Sequence, residues 1–247
     1  MDGDGKPMTQ DEAKRMAARR ALEFVEDGML LGLGSGSTST MFIQELGERV
    51  KQGLRVRGIA TSIASRELAE SLSIPIVTFD ECPVLDLAVD GADEVGPGLA
   101  LIKGGGGALL REKIVASASR KFIVIADSSK LVDRLGRFPL PVEVIQMALP
   151  VVARKLEAFG VNPKLRYRPD GDKYVTDEGN YILDCSCGEI ADPAKTAAEI
   201  RGIPGVVEHG LFLGMASLAL IAGDHGVIKV GKLYGDRYKK AVARLAS

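Results

Sequence analysis

The chain has 247 residues, with 32 basic and 33 acidic side chains and a formal net charge of −1. That balance offers no basic field for nucleic acid or for an anionic membrane surface, so any attraction for a phosphate has to be local. Hydrophobic residues make up 46% of it, yet no apolar run approaches the roughly 18–20 residues of a bilayer span, which fits a soluble protein with one large α/β domain or a large domain and a small companion.

The polar leader Met1–Pro7 lacks the apolar centre of a signal peptide and is read as a disordered leader or expression remnant. Thr9-Gln10-Asp11-Glu12 has the form of a capping box, predicting a helix from there to about Asp27 with Ala13, Met16, Ala17, Ala21, Phe24 and Val25 on its apolar stripe. Met29–Leu33 reads as a first parallel strand, Gly34-Ser35-Gly36-Ser37-Thr38 as a turn, and Ser39–Lys51 as a helix. A strand over Arg55–Ala60, a helix over Ser65–Leu72 and a third strand over Ile74–Val77 follow. The apolar runs Val84–Val89 and Lys121–Ala126 predict buried strands on either side of a helix at Leu109–Ala118.

Beyond about Leu135 the pattern changes. Phe138–Val144 carries two prolines, as a lead-in segment or edge strand would. A helix is expected over Val151–Phe159, short strands over Arg166–Arg168, Lys173–Thr176 and Asn180–Asp184, and another helix over Pro193–Arg201. The chain is expected to return to the first unit near Val206, with a late strand at Leu218–Ala222 and a last helix over Lys232–Leu245. The predicted fold is therefore α/β, a doubly wound, mostly parallel, Rossmann-like sheet formed by residues 1–135 and 206–247, with a smaller α+β domain inserted at 136–205.

Ligands of such sheets bind beyond the carboxyl ends of the strands, where three polar turns fall: Gly34–Thr38, Asp90–Glu94 and Asp127–Lys130. In the first, glycines admit an anion to the backbone and helix N-terminal amides with the hydroxyls of Ser35, Ser37 and Thr38 can bind it; a tight turn with a Ser/Thr helix cap is the plainer alternative. It is neither a Walker loop nor a complete dinucleotide fingerprint. Asp90-Gly91-Ala92-Asp93-Glu94 places three carboxylates within five residues at a strand end, which favours chemistry over turn formation, with Asp90 and Asp93 ahead of Glu94. Lys103-Gly104-Gly105-Gly106-Gly107 brings a cation and backbone amides to the same end, and Glu112 stands in the first turn of the following helix. Together these suit proton transfer on an anionic substrate.

His209 and His225, the two histidines, have no serine or cysteine nucleophile motif nearby and are read as structural or exposed. Cys82, Cys185 and Cys187 are odd in number, as in a reducing compartment, and Cys185-Ser186-Cys187 lacks the spacing of a zinc knuckle, so no metal is expected.

These segments, with Ala126–Lys130, Phe138–Val144 and Gly205–Phe212, closely resemble the type A ribose-5-phosphate isomerases, from about Thr9 to Val230. The resemblance implies cofactor-free interconversion of ribose 5-phosphate and ribulose 5-phosphate in the pentose phosphate pathway or the Calvin cycle, by a homodimer or homotetramer; the cysteine pattern sets the expected location as the cytoplasm or, after removal of a transit peptide, a plastid or other compartment. It implies Glu112 as the base between C2 and C1, Asp90 and Asp93 as acids near the reacting oxygens and Lys103 as a positive group there. Substrate contacts are implied for Ser35, Gly36, Ser37, Thr38, Gly91, Ala92, Gly104, Gly105, Gly106 and Lys130, and Lys14 in the first helix is a further phosphate candidate. Ser35 stands where many members carry threonine. The rival readings are another sugar-phosphate isomerase or deaminase, a sugar-phosphate sensor, for which the leader is no DNA-binding segment, and a nucleotide-dependent enzyme.

Overall fold

A computed structural model describes residues 8–232 and 235–246. The leader Met1–Pro7 lies outside the described residues. Helix α1 spans Gln10–Leu22 and opens on the expected capping box: the Thr9 side chain accepts from the Glu12 N–H, and the Glu12 carboxylate accepts from that of Thr9. It ends about a turn short of Asp27. The chain continues through β1 (Leu30–Leu33), α2 (Gly36–Lys51), β2 (Arg57–Ala60), α3 (Ile63–Ser71) and β3 (Leu87–Asp90). Then come the short strands β4 (Glu94–Val95) and β5 (Leu101–Ile102), helix α4 (Leu109–Ser117) and β6 (Phe122–Asp127).

The second unit contains β7 (Leu140–Val144), α5 (Leu149–Ala158), β8 (Asn162–Leu165), β9 (Tyr181–Ser186), α6 (Pro193–Arg201) and β10 (Val206–His209). The chain closes with β11 (Leu211–Phe212), β12 (Leu218–Gly223), β13 (Gly226–Val230) and α7 (Gly235–Ala246). The hairpin turn between β12 and β13 carries the exposed His225.

The main sheet has the order β13-β12-β6-β3-β1-β2, parallel except for the β12–β13 hairpin. Alternation along β6 explains why both faces are covered. Ile123 and Ile125 pack with Phe42, Ile43 and Leu46 of α2 and the alanines of α1, while Phe122, Val124 and Ala126 pack with Val115 of α4, Phe212 and Tyr238 of α7. The antiparallel sheet β10-β7-β9-β8 forms a third core with Val152 and Leu156 of α5 and Ile200 of α6. The small sheet β11-β5-β4 joins two strands from the excursion between β3 and β6 to one from the segment between β10 and β12.

Several expectations need correction. Ile74–Val77 forms one bridge, Gly58 to Ile76, rather than a strand, since Pro75 has no N–H to extend the ladder. Phe138–Val144 does not end on an edge: β7 is interior, flanked by β10 and β9. Pro141 is tolerated there because the Gly210 carbonyl opposite its missing N–H is satisfied by the Lys103 N–H, while the Gly210 N–H meets the Pro141 carbonyl. Arg166–Arg168 and Lys173–Thr176 are joined by a single bridge, Tyr167 to Lys173, while the strand paired with β9 is Asn162–Leu165. Val206–His209 still pairs with β7, so the chain remains in the second sheet past residue 205.

Candidate active site

The sheet order places β2 on one side of β1 and β3 on the other, so successive crossovers leave β1 in opposite directions and open a crevice at the carboxyl ends of β1 and β3. A cleft of about 120 Å³ lies there. Its wall is formed by Lys14, Ser35, Gly36, Ser37, Thr38, Gly91, Ala92, Asp93, Lys103, Gly104, Gly106, Glu112 and Lys130. Of the residues expected in the site, Asp90 and Gly105 do not line it.

Helix α2 begins earlier than the sequence suggested, so Gly36, Ser37 and Thr38 form its first turn rather than a preceding loop. Ser35 is the N-cap residue but makes no side-chain cap; its hydroxyl lies 2.5 Å from that of Thr61. Ser35 thus occupies the N-cap position without supplying the side-chain cap of the plainer reading. The N–H groups of a helix's first turn have no intrahelical acceptors, and Gly36, Ser37 and Thr38 line the cleft at the positive end of α2, where an anion is favoured. Gly36 adopts φ +83°, open to glycine and strained for other residues. Lys14 reaches the cleft from α1, paired with Asp11 at 3.4 Å, and Lys130 does so from the short turn after β6.

Three charged side chains in and beneath the cleft lining are withdrawn from water. Lys103 is 2% exposed, Asp90 3% and Glu112 6%. The Lys103 ammonium lies 3.0 Å from Asp90 Oδ2 and 3.4 Å from Glu112 Oε2, and donates to the carbonyl of Gly91. Asp90 Oδ1 accepts from Ser35 N–H at 3.0 Å, Ser39 Oγ at 2.9 Å and Gly91 N–H at 2.7 Å. Asp90 thus lies beneath the cleft floor, its oxygens occupied by Lys103 and by both turns. Asp93 lines the cleft and accepts from the Gly105 N–H at 2.7 Å. Glu94 turns away into β4, where its buried carboxylate accepts from the N–H groups of Gly136 and Phe138.

Burial opposes the charge on Lys103, but Asp90, Glu112 and Asp93 outweigh it and hold the ammonium above the ordinary lysine range. Burial, reinforced by the negative charge of Asp90 and opposed by Lys103, pushes Glu112 up to about 8. Its Oε2 makes no hydrogen bond among the described residues, which leaves a desolvated oxygen at the cleft wall. Such a carboxylate is a strong base once ionised, and its neighbour carries a fixed positive charge.

Sequence reasoning missed Ser39, Thr61, Arg166 and Tyr174. Ser39 follows Ser35 by one helical turn, a spacing that could have revealed it. Arg166 and Tyr174 come from the second unit, and Arg166 donates to the carbonyls of Gly104 and Gly105; no local pattern announces such long-range contacts. His209 is buried rather than exposed. Burial, with the nearby Lys113 ammonium, lowers it to about 4, so the ring is neutral, and Nδ1 accepts from the Leu211 N–H.

Residues 57–226 match the family model described as ribose 5-phosphate isomerase A (phosphoriboisomerase A). A ribose-5-phosphate isomerase A of Nitrobacter hamburgensis is 55% identical over 226 residues, covering 89% of this chain and 97% of its own. The solved ribose 5-phosphate isomerase A of Methanocaldococcus jannaschii is 43% identical with a TM-score of 0.87, covering 91% of this chain and all of its own. A D-ribose-5-phosphate isomerase solved in complex with phospho-erythronic acid is 42% identical over the same share of both chains, with a TM-score of 0.88. The chain belongs to the ribose 5-phosphate isomerase A family.

Proposed function

We propose that the cleft interconverts D-ribose 5-phosphate and D-ribulose 5-phosphate through an enediol(ate), an aldose–ketose isomerisation of the pentose phosphate pathway. The observation that carries the mechanism is the buried Lys103–Glu112 pair facing an uncapped helix start across one cleft. The phosphate would sit at the first turn of α2, flanked by Lys14 and Lys130. The sugar's C1–C2 end then reaches Glu112. The 42% identical isomerase binds phospho-erythronic acid, whose carboxylate and phosphate resemble the two charged ends of a phosphorylated enediolate.

In the aldose-to-ketose direction, ionised Glu112 removes the proton from C2. Negative charge develops on O1, where Lys103 and the N–H groups of the glycine turn stabilise it in a site poor in water. Glu112 returns its proton to C1, and Asp93 moves the hydroxyl proton between O2 and O1. Asp90 acts one layer below, as the residue that positions Lys103. Proton transfer between adjacent carbons by this route calls on no redox group, and Lys103 supplies the positive charge that a metal ion would otherwise provide.

Among the described residues no helix is long and apolar enough to cross a membrane. A cytoplasmic location and a homodimeric or homotetrameric state complete the proposal. The test is incubation of purified protein with ribose 5-phosphate and detection of the ketose, alongside Glu112→Gln. Failure of the parent to form ketose overturns the reading.

A further inference from the structure

We infer that Arg166, contributed by the second unit, is a positioning residue that aims the Gly106 N–H into the cleft as a donor to the developing oxyanion. This rests on the isomerase reading above. Arg166 Nη1 donates to the carbonyl oxygens of Gly104 at 2.9 Å and Gly105 at 3.1 Å. A peptide unit is planar and trans, so its C=O and N–H point in opposite directions. Drawing two successive carbonyls toward Arg166 therefore turns the Gly105 and Gly106 N–H groups the other way. The first meets Asp93 Oδ2 at 2.7 Å. The second has no hydrogen-bond partner among the described residues, and Gly106 lines the cleft beside Lys103 and Glu112.

Arg166 is itself held rigidly. Its side chain is 13% exposed and pairs through Nε and Nη2 with both carboxylate oxygens of Asp184 on β9, a two-pronged geometry that fixes the guanidinium plane. Its backbone N–H donates to Ile182, and its guanidinium lies 5.7 Å from the Tyr174 ring. Tyr174 Oη donates to the Gly106 carbonyl at 3.2 Å, and the phenol approaches Gly107 so closely that a Cβ there would come within 2.1 Å of it. The carbonyls of Gly104, Gly105 and Gly106 thus each meet a donor of the second unit, and that of Gly104 also accepts from the Gly107 N–H at 2.9 Å. Lysine has one compact charge in place of the planar fork and cannot hold Asp184 and two carbonyls in this geometry.

The experiment compares parent, Arg166→Met and Arg166→Lys for isomerisation of ribose 5-phosphate and for inhibition by phospho-erythronic acid and by inorganic phosphate. Both variants are first checked for a parent-like circular dichroism spectrum. Arg166→Met is expected to lower kcat by about 10–100-fold, somewhat less than the ~10²–10³-fold cost of deleting an oxyanion donor outright, because the N–H survives but is no longer aimed. Phospho-erythronic acid should lose affinity by a similar factor, while inhibition by inorganic phosphate and KM for the substrate change less than about threefold, since only the oxyanion end feels the turn. Arg166→Lys, which keeps a charge near Asp184, should show the same selective loss to a smaller degree. Equal weakening of both inhibitors, or parent-like kcat in a folded Arg166→Met, overturns the inference. A parent protein that does not isomerise ribose 5-phosphate would instead overturn the reading beneath it.

Discussion

Lys103 Nζ and Glu112 Oε2 stand 3.4 Å apart, both almost wholly removed from water, in an ion pair that forms no hydrogen bond on the glutamate oxygen. The distance leaves the carboxylate attracted but not saturated. A base that must collect and return a carbon-bound proton benefits from that arrangement, whereas a fully bonded carboxylate such as Asp90 would have to break contacts first.

Glu112→Gln keeps the shape and removes the base. Turnover is expected to fall by about 10²–10⁴-fold or more, with far less change in ribose 5-phosphate affinity because the anion contacts lie across the cleft. Solvent-deuterium incorporation at the migrating position, measured with the rate, follows the same proton. Near-parent turnover in a variant that binds normally would transfer the role to Asp93.

The raised Glu112 value has consequences of both kinds for pH. The base is active only when ionised, so kcat/KM should fall as pH drops below about 8, with an apparent pKa that belongs to the Lys103–Asp90–Glu112 cluster as a whole. For stability, a carboxyl held at about 8 when folded, against 4.5 as a free side chain, binds its proton more tightly in the native state between those values. Its contribution is therefore most favourable at low pH and declines as pH rises through that window. Glu112→Gln should match the parent's Tm at about pH 5 and exceed it at about pH 9. Calorimetry at both values decides, and a variant less stable than the parent at about pH 9 would contradict the raised value.

Much of this site is legible from local pattern. A strand's apolar run followed by Asp90, the glycine run after Lys103 and the helix start carrying Glu112 each declare themselves within a few residues, and the switch between β1 and β3 brings them together. The burial of Asp90 is not legible, because it depends on Ser35 and Ser39 arriving from β1 and α2. Prolines misdirect the reading twice. Pro141 suggested an edge, yet it sits in an interior strand where the Gly210 carbonyl opposite it is satisfied by Lys103, and strand β8, which contains Pro163, went unpredicted. In both places partners distant in sequence decide whether a lost donor matters.

The first turn of α2 should supply binding energy through the phosphate. Unphosphorylated ribose is expected to be a very poor substrate, since contacts remote from C1 and C2 position the reacting carbons. Lys130→Ala should raise KM for ribose 5-phosphate more than it lowers kcat, and the effect should shrink as salt increases. Comparable kcat/KM values for ribose and ribose 5-phosphate would remove the phosphate from this turn.

Turnover should survive exhaustive dialysis against EDTA. In the proposed mechanism the positive charge at the oxyanion is that of Lys103, held above the ordinary lysine range by its carboxylate neighbours, and it does not leave with a chelator. Loss of activity in EDTA, restored by a divalent ion, would contradict this.

Glu94 separates chemistry from architecture within the same acidic run. Its carboxylate is 1% exposed and accepts from Gly136 N–H at 2.7 Å and Phe138 N–H at 2.6 Å, fixing the segment that leads toward β7. Glutamine offers one acceptor oxygen where two donors converge, and its amide N–H groups would face one of them. Glu94→Gln should therefore cost about 2–3 kcal/mol, the scale of a charge-assisted bond replaced by an unsatisfied buried donor. For a chain of this size that corresponds to roughly 4–12 °C in Tm. Well below the transition, kcat and KM should remain within about twofold of the parent, because the carboxylate faces away from the cleft. Thermal denaturation and steady-state kinetics on the same preparation distinguish the cases. A folded Glu94→Gln that loses turnover by the factor expected for Glu112→Gln would place Glu94 in the chemistry, whereas a lower Tm with intact kinetics places it in the scaffold.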